Sequence, residues 1–130
     1  MASLREVVRD KGASHRAPVP PGAKIGRVVI SSMVSGHDPK SHALPGGADV
    51  ELDNLFERVE GFMEIAGGTK DDVINMKIFI LDEKFRDGVV SRFEKMYPNP
   101  SQRPVSHVLN VAPEGLRHEA AEIVLTAILP

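Results

Sequence analysis

Residues 66–85 read AGGTKDDVINMKIFILDEKF, and this stretch joins the end of a helix to the most strand-like run of the chain. Gly67 and Gly68 supply the left-handed backbone position at which helices commonly end. Apolar residues at both parities then fill residues 72–81, which predicts a central strand covered on both faces. One parity holds Ile74, Met76, Ile78 and Ile80, and the other holds Val73, Asn75, Lys77, Phe79 and Leu81.

One helix is predicted on each side of this strand. Residues 49–66 repeat apolar side chains at steps of three and four, which indicates a helix with one buried face, and Asp49 is the expected N-cap. A second helix is predicted over residues 85–96, and it ends before the prolines at 98 and 100. The apolar positions of the first helix are Leu52, Leu55, Val59, Phe62 and Ala66.

The remaining elements complete an α+β pattern. Residues 17–26 hold three prolines and two glycines, so we expect an extended or looped entry, and residues 35–47 are rich in turn formers. Further strands are predicted at residues 27–32, 105–111 and 120–129. The resulting order predicts one domain over residues 1–130, with two helices packed on one face of a mixed sheet.

Two helices cover only one face of such a sheet. The runs at residues 72–81 and 120–129 are nevertheless apolar at both parities, and the chain has no further segment to cover the second face. A second copy of the same chain is the simplest cover. We therefore expect a homo-oligomer.

Composition excludes several classes of function. Lys and Arg number 16 against 18 Asp and Glu, a net charge of −2, and aromatic residues make up 5%. This balance disfavours nucleic acid and anionic membranes as partners. The chain holds no cysteine, which excludes disulfides, thiolate metal sites and a nucleophilic thiol. With no signal peptide or membrane-length apolar run, a cytoplasmic location is expected.

The histidines give no strong motif. His37, Asp38 and His42 lie in the predicted loop, where a metal site is one reading and ordinary solvated polarity is the favoured one. His107 lies within a predicted strand at an inward parity, which favours a buried imidazole over a catalytic base. No phosphate-binding glycine motif and no nucleophilic serine motif is present.

Two charged residues border apolar strands. Arg103 directly precedes residues 105–111, and Glu119 precedes residues 120–129. If these strands are antiparallel neighbours joined by residues 112–118, we expect both side chains toward the same end of the sheet. A guanidinium there can hold a carboxylate, and a carboxylate can orient water. The alternative is a surface or intersubunit salt bridge between the two.

The ordered set of motifs resembles one family. Residues 66–85 are similar to the central signature of the YjgF/Rid (reactive intermediate deaminase) family, and the match runs over roughly residues 28–128. The supporting motifs are ISS at 30–32, DPK at 38–40, Tyr97–Pro98, Arg103, and a proline-containing turn before a final strand with Glu119.

The resemblance implies a chorismate-mutase-like subunit. Three such subunits would form a barrel-like homotrimer with ligand clefts between them. It implies hydrolysis of a small carboxylate-bearing imine or enamine to a 2-keto acid and ammonia, with no cofactor. Arg103 would grip the substrate carboxylate and Glu119 would position water. Ser31 would contact the substrate, or Ser32 if the register slips by one, and His107 would replace a lost donor if it faces the cleft.

The sequence also departs from the family pattern. Val105 stands where catalytic members commonly have cysteine, the family's N-terminal tyrosine has no counterpart, and its helix asparagine falls on Val89 or Val90. Ser32 and Met33 replace a glycine and a glutamine. These changes keep open a non-catalytic trimer that binds a metabolite or a partner protein. RNA cleavage, attributed to some relatives, is disfavoured by the charge balance.

Overall fold

The computed structural model describes residues 4–10, 18–111 and 119–130 of the chain. These ranges contain seven strands and two α-helices, joined by loops and short 3₁₀ turns. The helices are α1 (Ala48–Ala66) and α2 (Arg86–Met96). Neither these nor the shorter helical turns in the described ranges are long and apolar enough to span a membrane. The strands are β1 (Arg5–Val8), β2 (Gly22–Ile25), β3 (Val28–Ser31), β4 (Val34–Ser35), β5 (Val73–Ile80), β6 (Val105–Asn110) and β7 (Ala121–Ile128).

The strands form one mixed sheet in the order β1-β2-β3-β7-β5-β6, with the short β4 also paired to β7. β5 and β6 are parallel, and every other described pairing is antiparallel. A parallel pair needs a crossover connection, and α2 supplies it between β5 and β6. The predicted α+β class, with two helices and a mixed sheet, is confirmed.

The core lies between the helices and one face of the sheet. α1 contributes more of it than any other single element, because its buried side chains recur every three or four residues. Gly22 lies so close to the ring of Phe62 that a side chain there would overlap it, which brings β2 against α1. The largest fully buried side chains are Phe62, Leu52, Leu55, Met63, Met76, Ile78, Ile80, Ile123, Leu125, Val29 and Val59.

The helix ends follow the sequence signals only in part. Gly67 adopts the predicted left-handed conformation at φ 101°, and its N–H donates to the carbonyl of Glu64. The prediction of Asp49 as N-cap is wrong, because Gly47 occupies that position in an extended conformation. Asp49 lies in the first turn instead, where its negative charge favours the positive end of the helix dipole. Phe85 belongs to a short 3₁₀ turn that precedes α2.

One strand prediction differs from the structure. A bulge between Val73 and Asn75 buries Val73 and exposes Ile74, so the predicted grouping of Ile74 with the core side chains is wrong. The proline-rich entry at residues 17–26 was expected to be extended or looped, and Gly22–Ile25 within it pairs as β2. β1 was not predicted. Its pairing with β2 comes from tertiary contact and not from a strong local pattern.

The sheet face opposite the helices, here called the open face, is apolar and uncovered in a single chain. Ile30 on β3 is 52% exposed, although it belongs to a strand in the middle of the sheet order. The exposed large apolar side chains on this face are Val7, Ile25, Val28, Ile30, Val105 and Leu109. Exposed apolar residues grouped on one face are typical of interaction surfaces, and the homo-oligomer expected from the sequence stays a prediction.

Candidate functional site

Arg103 and Glu119 lie at opposite ends of the sheet within one chain. β6 begins beside Asn75 at the start of β5, whereas β7 begins beside Ile80 at its end. Five residues of strand separate these positions, roughly 17 Å. The prediction that β6 and β7 are neighbours with both charges at one end is wrong, because β5 lies between them and antiparallel strands begin at opposite ends. The expected connection at residues 112–118 lies outside the described residues.

The guanidinium of Arg103 is fixed through one of its three nitrogens, Nε. Its Nε donates to the backbone carbonyl of Tyr97 at 2.9 Å, and the hydroxyl of Tyr97 donates to the carbonyl of Lys70 at 2.8 Å. Burial raises the pKa of Tyr97 above its ordinary value, so this hydroxyl remains a donor at any ordinary pH. Across the described ranges Arg103 forms no ion pair, which leaves its terminal nitrogens available for a carboxylate.

The hydroxyl of Ser31 makes a structural hydrogen bond. Its side chain is buried, and Oγ accepts the backbone N–H of Leu125 at 2.9 Å, which links β3 to β7 inside the core. Ser32 follows at the other parity, and its Oγ donates to the carbonyl of Pro21 at 3.1 Å. The structure therefore places Ser31 on the helix side of the sheet, away from the open face on which a cleft between copies would form.

His107 lies exposed on the open face. It is in register with Lys77 on the parallel strand β5, and Val105 precedes it on the same face. The prediction of a buried imidazole does not hold within the chain, because no helix covers this side of the sheet. The position that the resemblance gives to a cysteine is therefore an exposed valine at the start of β6.

Glu122 is a carboxylate that the sequence reasoning missed. Alternate residues of β7 are buried under the helices, so Glu122 lies on the open face. It is in register with Ser35 on β4 and with Phe79 on β5. The signal was present in the sequence as the one acidic residue within a largely apolar strand.

Glu119 lies in a different environment, on the side of α1. Its Oε1 is 3.8 Å from Nε2 of His37, and its side chain is 13% exposed. The other ring nitrogen of His37, Nδ1, is 2.6 Å from Oγ of Ser35. Glu51 on α1 is 5% exposed and accepts the backbone N–H of Ala120 at 2.6 Å. Burial, with the nearby negative charge of Glu119 as a smaller cause, raises the pKa of Glu51.

A groove of about 260 Å³ runs between α1 and the segment that follows β4. Arg58 in this groove is neutralised by Asp10, with Nη1 at 3.1 and 3.3 Å from the two carboxylate oxygens. In the described part of the chain, no three histidine or acidic side chains are placed to hold a metal ion. The groove is lined by His37, Pro39, Asn54, Glu57, Arg58 and Gly61.

The architecture is that of a known group of small proteins. The structure superposes on RidA from an Antarctic Psychrobacter bacterium with a TM-score of 0.83 at 22% identity, covering 95% of this chain and 99% of that one. The chain has the RidA/YjgF fold. The YjgF gene product of E. coli gives a TM-score of 0.81 at 20% identity, covering 95% and 98% of the two chains. The resemblance read from the sequence is confirmed at the level of the fold.

The RidA/YjgF fold carries more than one description among solved structures. A putative endoribonuclease from Thermotoga maritima matches with a TM-score of 0.84 at 19% identity, covering 96% of this chain and 98% of that one. No sequence-family model matches the chain. At such identities the likeness shows the fold, and the site has to carry the argument for activity.

Replacing Glu51 by Gln tests the burial of this carboxyl group. Because its pKa is raised above 4.5 in the folded state, its stabilising contribution is complete below about pH 4.5 and is lost as the pH rises through the folded pKa. Glutamine keeps an acceptor for the N–H of Ala120 and cannot ionise. We expect Glu51→Gln to raise the free energy of unfolding at pH 8, with the gain shrinking toward pH 4.5, as measured by urea denaturation.

The exposed Glu57 on the same helix supplies the matched control. Glu57→Gln should leave the pH dependence of the free energy of unfolding unchanged. Equal pH profiles for Glu51→Gln and the wild type would contradict this account of Glu51.

Proposed function

We propose that this protein is a cofactor-free hydrolase of the Rid type, acting on a small imine or enamine that bears a carboxylate. The observation that carries the proposal is Arg103, whose guanidinium is fixed through Nε while its terminal nitrogens remain available. A fork of this kind recognises carboxylate through two parallel hydrogen bonds. The proposal is supported by the shared fold and by the apolar open face beside β6.

The reacting cleft is proposed to form between copies of the chain. The open face requires a cover, and a chain of the same kind offers a surface of matching character. Arg103 and the glutamates at the beginning of β7 lie far apart within one chain. A neighbouring copy is therefore needed to bring a glutamate to a ligand held by Arg103. We infer a homo-oligomer, and the resemblance to the YjgF/Rid family implies a trimer.

The proposed reaction needs one group to handle water. Water adds to the imine carbon and forms a C–O bond while a carboxylate accepts its proton. That proton passes to the imine nitrogen and gives a carbinolamine. The hydroxyl proton of the carbinolamine then moves to nitrogen as the C=O bond forms and the C–N bond breaks, so that ammonia departs and a 2-keto acid remains. Glu119 is the candidate from the sequence, whereas Glu122 lies on the open face. Position favours Glu122, because Glu119 lies beside Glu51 and His37 on the helix side.

A second function, a trimer that binds a carboxylate ligand without turning it over, is favoured by one observation. Val105 occupies the exposed start of β6, at the position where catalytic members commonly carry a cysteine. Valine offers no hydrogen bond and no nucleophile. In this case Arg103 would still anchor the ligand carboxylate, and binding without hydrolysis would result.

Charging the open face tests the assembly. At micromolar concentration we expect the wild type to sediment as a multimer. Ile30→Lys should shift it to monomer or aggregate, because an unpaired ammonium at an apolar interface is costly. Ile65, on the outer face of α1, is similarly exposed at 50%, so Ile65→Lys is the matched control and should leave sedimentation unchanged. A wild-type monomer would contradict the assembly.

Replacing Arg103 tests the carboxylate site. Imines generated by an amino acid oxidase serve as substrates, and their decay is followed with and without the protein. We expect Arg103→Ala to lower kcat/KM by on the order of 100-fold, because a charge-assisted bidentate contact is lost. Arg27 also donates through Nε to a backbone carbonyl, that of Leu129, so Arg27→Ala is the matched control and should retain activity.

Two outcomes of the Arg103 experiment separate the candidate functions. No acceleration of imine decay by the wild type, together with binding of 2-keto acids that Arg103→Ala abolishes, would favour the non-catalytic binder. Equal behaviour of wild type and Arg103→Ala in both assays would contradict a carboxylate site at Arg103.

Two amide variants distinguish the candidate carboxylates. Glu122→Gln should lower kcat by on the order of 100-fold with little change in KM, because general-base assistance typically contributes that much. Glu119→Gln should change kcat less, since its carboxylate faces His37. The reverse ranking in steady-state kinetics would return the role to Glu119.

A further inference from the structure

Three ionisable groups from three elements meet at the end of the sheet opposite to Arg103, on the face that the helices cover. Glu51 comes from the first turn of α1, Glu119 from the entry to β7, and His37 from the segment after β4. They are nearly buried, at 5% exposure for Glu51 and 13% and 15% for the side chains of Glu119 and His37. None of them is needed for the proposed grip of Arg103 on a carboxylate.

One of the two carboxyl groups lacks the donors that a buried carboxylate requires. Glu51 receives the N–H of Ala120, but Oε2 of Glu119 is fully buried and has no hydrogen-bond partner within the described ranges. An ionised carboxylate oxygen without a donor in the interior is unfavourable. A positive charge close to Glu119 would relieve this.

His37 is placed to supply that charge. Its Nε2 approaches Oε1 of Glu119 at 3.8 Å, which is an ion-pair distance when the ring is protonated and too long for a hydrogen bond when it is neutral. Its Nδ1 contacts the hydroxyl of Ser35, which can donate to the neutral ring and accept from the protonated one. The contacts around His37 therefore accommodate both protonation states.

The other charged groups near His37 are already compensated or solvated. Arg58 in the shared groove is paired with Asp10, and Glu57 in that groove is exposed. Asp38, the next residue, accepts the backbone N–H groups of Lys40 and Ser41, and these bonds lower its pKa. Glu119 is thus the uncompensated group that a charge on His37 would influence most.

The backbone around His37 is fitted to this site. The side-chain amide of Asn54 donates to the carbonyl of Gly36 at 3.3 Å. A Cβ at Gly36 would overlap the backbone oxygen of Glu51, so only glycine lets the segment approach α1 this closely. The segment after β4 is thereby held between α1 and the entry to β7.

We propose that His37, Glu119 and Glu51 form a proton-operated clasp, which holds residues 35–38 against α1 and the entry to β7 when His37 is protonated. Imidazole gains or loses its proton between pH 5 and 8. The clasp tightens as the pH falls through this range. It weakens above this range, where neutral His37 leaves the buried carboxylate of Glu119 uncompensated.

Because Ser35 is in register with Glu122, the clasp governs the edge of the open face. Loss of the clasp would loosen the pairing of β4 with β7 at this register position. The clasp stands on the geometry within one chain and does not rest on the proposed hydrolysis.

Amide hydrogen exchange of the full-length protein tests the clasp. After correction for intrinsic exchange rates, we expect amides of residues 35–38 and 119–121 to be about fivefold more protected at pH 6 than at pH 8 in the wild type, the factor given by about 1 kcal/mol. In His37→Asn this ratio should fall below twofold. His42→Asn, at an exposed histidine of the following loop that already has positive φ, should keep the wild-type ratio.

The outcomes separate His37 from Glu51 as the source of the pH dependence. A fivefold ratio retained in His37→Asn would overturn the proposal and assign the pH response to the carboxyl groups alone. If His37→Asn does not fold, Glu119→Gln provides the second test, because without its partner carboxylate the ratio should also fall below twofold. A ratio near one in the wild type would equally overturn the clasp.

Discussion

The apolar open face is the constraint on which the rest of this molecule depends. Both helices pack on the opposite side, and among the described residues nothing covers the face that carries Ile30. Exposed apolar area of this kind is unfavourable in water, so the face needs a partner surface. The same face carries Lys77, His107 and Glu122, and charges enclosed between copies would interact in a low dielectric. The proposed association and the proposed chemistry therefore share one surface.

Strand order decides which groups can act together. β5 separates β6 from β7, because the crossover through α2 brings β6 to the outer side of β5 in the parallel sense. Arg103 at the start of β6 and the acidic residues at the start of β7 are consequently held at opposite ends of the sheet. A carboxylate anchored by Arg103 is out of reach of Glu119 and Glu122 of the same chain, which makes the proposed site a property of the assembly.

The fold also gives structural contacts to residues that the sequence suggested as functional. Ser31 has its hydroxyl bonded to the backbone of Leu125 in the core, and Glu119 lies against His37 beneath α1. Side chains of neighbouring strand residues point to opposite faces, so a shift of one residue exchanges a core position for one on the open face. This parity separates Ser31 from Ser32, and it gives Glu122 the position on the open face.

The helices, the central strand and the α+β class were determined by the sequence itself, because buried side chains repeat with helical or strand periodicity and Gly67 ends α1 wherever the helix packs. The uncovered face followed in the same way from apolar residues at both parities. The bulge that exposes Ile74, the insertion of β5 between β6 and β7, and the burial of Glu119 beside Glu51 were decided only by the tertiary structure. Each depends on contacts between residues far apart in the chain. Local periodicity does not indicate which distant strand pairs with a given strand.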